Sequence, residues 1–186
     1  MVGAFLKGEL NSTRFSPALR NVMNELGADE KIITEPDLQN ESENLLRKRI
    51  FGKFRGYGEN QMLFEGFPQD VQWKRVKLSP QEVLQIHYIT YSYWDEISKQ
   101  THSPVVAAET IRSGVEIFGQ SNEGFLNATQ FLRDGGKFPE LVLVAKNETA
   151  PLTVLEGHLR LTAYALAPQH IPNPLTAIVG FSENMN

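Results

Sequence analysis

The sequence predicts an α+β fold preceded by an N-terminal extension, and three observations carry that reading. Apolar runs of strand length fall at residues 73–78, 141–145, 152–155 and 175–181, while several of the stretches between them repeat apolar residues at helical spacing. Proline and glycine stand where helices start and stop, at Ser79-Pro80, Ser103-Pro104, Gly119, Gly135-Gly136 and Gly157. The 186 residues are 41% apolar and 22% charged, the balance of a globular chain long enough to bury a core.

In chain order, a short strand is expected before Asn11. Ser16 and Pro17 open a short amphipathic helix with Leu19, Val22, Met23 and Leu26 on one face, and Gly27 stops it. Residues 28–41, with Pro36 and scattered acids and amides, read as a connecting loop. Residues 41–55 begin with acids and end with Arg47, Lys48, Arg49, Lys53 and Arg55. That order complements a helix dipole and suits a surface helix. The same five cations, interleaved with Ile50, Phe51 and Phe54, also suit a patch for phosphates or DNA. Residues 54–68 mix glycines with aromatics, as in a loop over a ligand or a rigid turn packed by Tyr57, Phe64 and Phe67. No phosphate-loop Gly-Lys-Ser/Thr follows them.

The extension is taken as residues 1–70, packing on a domain of residues 71–186. That domain opens with a strand from Trp73 to Leu78. Ser79, Pro80 and Glu82 form a capping-box signature, so a helix is expected from there to about Lys99, burying Val83, Ile86, Tyr88, Ile89 and Trp94. His87 lies inside this apolar pattern and reads as a core or edge histidine. A second helix is expected over residues 104–119, burying Val106, Ala107, Ile111, Val115 and Phe118, and a third over residues 122–132. Strands at 141–145 and 152–155 flank a turn, and a helix and a proline-rich link lead to the strand at 175–181.

The chemically suggestive stretch is Glu156-Gly157-His158-Leu159-Arg160. A strand that feeds a helix through one glycine brings backbone N–H groups and the positive end of a helix dipole to one spot, here beside an arginine. A phosphate suits such a spot. A surface arginine paired with a carboxylate at an ordinary strand–helix junction is the competing reading.

Residues 140–181 as a whole resemble the core of the ParB/sulfiredoxin-like superfamily: strand, turn, strand ending in Gly-x-x-Arg, helix, closing strand. The resemblance implies a small mixed sheet with helices. It also implies nucleotide phosphate binding at Gly157, His158 and Arg160. The turn is similar to the Asp-Gly-His-His-Arg turn of the free serine kinases of that superfamily, which implies a nucleoside triphosphate with Mg2+ as ligand and ATP hydrolysis or phosphate transfer as activity. Glu156 and His158 are then the catalytic candidates, the first holding magnesium through water or orienting His158, the second donating to a phosphate or shuttling a proton. Partition-type members carry two adjacent arginines here, whereas Leu159 precedes Arg160. Those members also place a helix-turn-helix after this core, for which a core running to Asn186 leaves no expectation. A non-catalytic DNA-associated or protein-interaction module, partition-like or antitoxin-like, is the alternative.

Composition narrows the chemistry further. The chain contains no cysteine, which removes disulfides, thiolate catalysis and cysteine-held metals, sulfiredoxin chemistry included. His87, His102, His158 and His170 show no metal-binding spacing, so no metal held by protein ligands alone is expected. A net charge of −4 disfavours generic coating of nucleic acid, and no apolar stretch reaches membrane length. A cytoplasmic location is the default expectation.

Overall fold

The computed structural model describes residues 1–12, 15–55 and 67–185. The chain divides into two compact units, Met1–Phe67 and Pro68–Asn186.

Among its described residues the first unit holds four helices: α1 (Val2–Leu10), α2 (Ser16–Glu25), α3 (Lys31–Thr34) and α4 (Glu41–Arg55). Where a strand was expected before Asn11 there is α1. Phe5, Leu6, Glu9 and Leu10 are its buried residues, a helical spacing that a period-two reading cannot bury on one side. The segment read as loop contains α3, because Ile32 and Ile33 are buried and the Asp29 carboxylate accepts the Lys31 N–H at 2.8 Å. These residues join Leu19, Met23 and Ile50 in an apolar core. Phe5 meets Phe51 edge to face at 5.2 Å, a preferred aromatic geometry.

The second unit is mixed α+β. Strands β1 (Gln72–Leu78), β2 (Leu141–Ala145), β3 (Thr153–Glu156) and β4 (Leu175–Phe181) form one sheet in the order β1-β4-β2-β3. The β1–β4 and β2–β3 pairs are antiparallel and the β2–β4 pair is parallel. Helices α5 (Pro80–Leu84), α6 (Ser92–Ile97), α7 (Pro104–Arg112), α8 (Glu123–Arg133) and α9 (His158–Leu166) accompany the sheet, and a 3-10 turn at Pro168–His170 follows α9. One sheet face, carrying Leu78, Leu143, Val154, Leu175, Ala177 and Val179, joins Val83, Ile86, Ala107, Ile111, Leu161 and Tyr164 from the helical segments in a single core.

The capping box at Ser79 and Glu82 is present at the start of α5. The long helix expected after it is not. The His87 N–H donates to the Leu152 carbonyl at 2.8 Å and the Val154 N–H to the His87 carbonyl at 2.8 Å. Those backbone groups therefore extend the sheet beyond β3 and leave two short helices, α5 and α6. The next helix also stops early, at Arg112, before Gly114 at φ +78°. Val115 and Phe118, expected in its buried face, lie beyond it and are 47% and 66% exposed. Among the described residues no helix is long and apolar enough to cross a membrane.

Candidate functional site

The Glu156–Arg160 turn begins in a β-bulge. Val142 pairs with Glu156 and Leu143 with Val154, so Leu155 is an extra residue on β3. The kinked strand delivers Gly157, at φ +109°, as the N-cap of α9. A β-carbon at Gly157 would stand 2.6 Å from Leu141 Cδ2 and 3.0 Å from both Nε and Nη2 of Arg160. Glycine is thus required twice, by its left-handed backbone and by the side chains packed over it. The first backbone bond of the new helix runs from the Leu161 N–H to the Gly157 carbonyl at 2.8 Å. A glycine cap brings no side-chain oxygen to the amides that precede that bond.

Arg160 folds back over this glycine. Its Nη1 donates to the carbonyls of Pro139 and Glu140 at 3.1 and 3.2 Å, and Nη2 stands 3.5 Å from Glu156 Oε1. With the side chain 11% exposed, the guanidinium clamps the entrance of β2 to the start of α9. The competing reading, a pairing with a carboxylate at the junction, describes part of this geometry, since Glu156 is that carboxylate. Its charge is shared among two carbonyl dipoles and one carboxylate, so Arg160 shapes the turn as well as adding charge to it.

His158 is set into an aromatic stack. Its ring lies 4.9 Å from that of Trp94 at 19° and 6.1 Å from that of Tyr88 at 12°. Trp94 and Tyr88 stack on each other at 4.6 Å. The Tyr88 hydroxyl is 2.7 Å from Thr162 Oγ1, which donates to the His158 carbonyl at 2.8 Å. Burial pushes the Tyr88 phenol well above its ordinary range. Tyr88 and Thr162, both buried, and Trp94 were not singled out as site neighbours from sequence, because no spacing signal links residues 88, 94 and 158. Only the packing of α6 and the segment before it against α9 brings them together.

The five basic candidates of α4 do not share one environment. Arg47 is 2% exposed and donates to the Ile32 and Asp37 carbonyls at 2.8 Å each, to Asn44 Oδ1 at 2.7 Å and to Glu43 Oε2 at 2.9 Å. It is an internal clasp, not part of an outward patch. Lys48 and Arg49 are exposed, and Lys53 pairs with Glu25. The Arg55 side chain and most of the glycine-aromatic loop, residues 56–66, lie outside the described residues. His87 is at the sheet margin with an exposed ring, and His102 Nε2 stands 3.8 Å from Asp95 Oδ1. Among the described residues no three His, Asp or Glu side chains cluster as a metal site.

No protein-family model matches the chain, and no match to it was found among curated proteins or among solved structures.

Proposed function

We propose that the second unit is a ParB/sulfiredoxin-like domain that binds a nucleoside phosphate at Glu156–Arg160. The observation that carries this reading is the left-handed Gly157 under the Arg160 guanidinium at the head of a nine-residue helix. Such a junction gathers backbone donors where an anion gains from the helix dipole. The sequence of elements, strand, helices, strand pair, helix, strand, is also the layout that the resemblance implies.

In this reading the amides at the start of α9 grip the phosphate and Arg160 holds them in place. His158, its ring plane fixed by Trp94, is the group to donate to a phosphate oxygen or move a proton. Glu156 is the carboxylate beside them, and magnesium enters with the triphosphate. Hydrolysis or transfer of the terminal phosphoryl group suits such a site, because that chemistry rests on positioning and charge stabilisation. The DNA-associated alternative draws less support, since Arg47 is withdrawn from the basic run.

The test is thermal stabilisation by a panel of nucleoside triphosphates with and without Mg2+. A ligand at a hundred times its dissociation constant contributes about 2.7 kcal/mol, a readily visible shift. The shift is expected for wild type and lost in Arg160→Lys, which keeps the charge but not the planar fork that joins the two carbonyls through Nη1 to Glu156 through Nη2. No shift with any nucleotide, or an equal shift in the variant, rejects the reading.

A further inference from the structure

A groove of about 840 Å³ opens along β1 of the same sheet, between α5 and the loop 148–152. Gly157 sits beside Leu141 at the start of β2, whereas the groove runs over β1 from Lys74 to Leu78 with Phe181 of β4, and none of residues 156–160 lines it. The strand register builds its floor. Gln72 is opposite Phe181, Val76 opposite Ala177 and Leu78 opposite Leu175, so Val76, Leu78 and Phe181 share the core face and continue it into the groove. Leu152 adds to the apolar surface.

Lys74 is the cation placed over this floor. Its Nζ is 5.7 Å from the Phe181 ring centroid and 2.8 Å from Glu148 Oε1. Lys74 and Glu148 are 57% and 72% exposed, and an ion pair so open to water contributes little and exchanges partners readily. The second carboxylate of the groove is engaged: Glu82 Oε2 accepts from the Ser79 N–H and hydroxyl, both at 2.7 Å, in the capping box. Gln85, His87 and Thr149 add exposed polar groups to the wall, and Arg75, the other cation of the lining, is paired with Glu140 at 2.9 Å. Cationic and neutral donors on one side, an engaged acid and an easily displaced one on the other, favour an anion above an apolar bed.

We infer that this groove binds a small amphipathic carboxylate. Its apolar body rests on Phe181, Val76, Leu78 and Leu152, and its carboxylate takes Lys74 from Glu148. The volume is in the range of small-molecule sites. A cationic amphiphile of the same size gains only Glu148 and meets the Lys74 ammonium.

The test is isothermal titration of the full chain with decanoate, decanol and decyltrimethylammonium. Decanoate is expected to bind most tightly, to weaken roughly tenfold or more in Lys74→Ala, the scale of a lost charged partner, and to tighten in Glu148→Gln, which frees the ammonium. Both side chains are more than half exposed, so these variants retain the fold. Equal or tighter binding of decyltrimethylammonium, or unchanged decanoate binding in Lys74→Ala, overturns the inference. Lys74→Ala leaves the nucleotide response of the Gly157 turn unaltered, so the two sites fail separately.

Discussion

At the scale of single residues, Gly157 concentrates the constraints of the turn. A side chain there must adopt φ +109° and displace Leu141 and the Arg160 guanidinium. Gly157→Ala is expected to lower stability by about 1–3 kcal/mol, the range for a strained left-handed residue, with the loss read from the urea midpoint at unchanged slope. An unaltered midpoint would show that the helix entry re-forms without the glycine. Two residues beyond Thr162, Tyr164 gives the second unit a defined response to alkali. Burial pushes its phenol up to about 12, with the nearby Arg160 charge opposing, from an ordinary value of 10.0. The folded chain therefore holds a proton that the unfolded chain releases near pH 10, so the unfolded state binds fewer protons above that pH and stability falls as pH rises. This contribution is whole below pH 10 and lost through pH 12. Denaturation midpoints measured from pH 9 to pH 12 should decline less steeply in Tyr164→Phe, and an identical decline would exclude Tyr164 as the titrating group. Gly157 was legible from sequence because a lone glycine between an apolar run and a helical one has few other uses. The inward turn of Arg160 was not, because the carbonyls it serves belong to Pro139 and Glu140, some twenty residues away.

At the scale of elements, hydrogen-bond partners decided where periodicity could not. The capping box set the start of α5 as read, since Ser79 and Glu82 act within one turn. Its end was set elsewhere, by the Leu152 carbonyl and the Val154 N–H, which draw His87 into the sheet. Local propensity cannot register such a competitor. The basic half of α4 shows the same limit: acids before bases foretold the helix, but Arg47 is claimed by the 31–40 segment. Its bonds to the Ile32 and Asp37 carbonyls fasten that segment to α4, while Glu43 and Asn44 of the helix hold the guanidinium in place. Arg47→Ala strands the Ile32 and Asp37 carbonyls, and a cost of about 3 kcal/mol is expected from the usual penalty for such groups. Hydrogen exchange should quicken over residues 31–50 and stay unchanged in β2 and β4. Unchanged protection over residues 31–50 would mean that the apolar core of α1, α2 and α4 holds the segment unaided.

At the scale of the whole molecule, each of the two units carries its own apolar core. Within the second unit the glycine turn stands at the start of β2, and the Lys74 groove runs along β1 with none of residues 156–160 in its lining. The division between the units falls after Phe67. By itself the sequence determined the α+β class, the bounds of the strands at 141–145 and 175–181, the strand–glycine–helix junction and the absence of thiol chemistry. Each of these depends on side-chain alternation, on one conformational preference or on residue type, all of which are written locally. Tertiary structure alone decided the strand order, the inward turn of Arg160 and Arg47, the stacking of His158 on Trp94 and the groove floor of Val76, Leu78 and Phe181. These join residues up to about a hundred positions apart, and their energies come from burial and hydrogen bonds that exist only once the sheet is assembled.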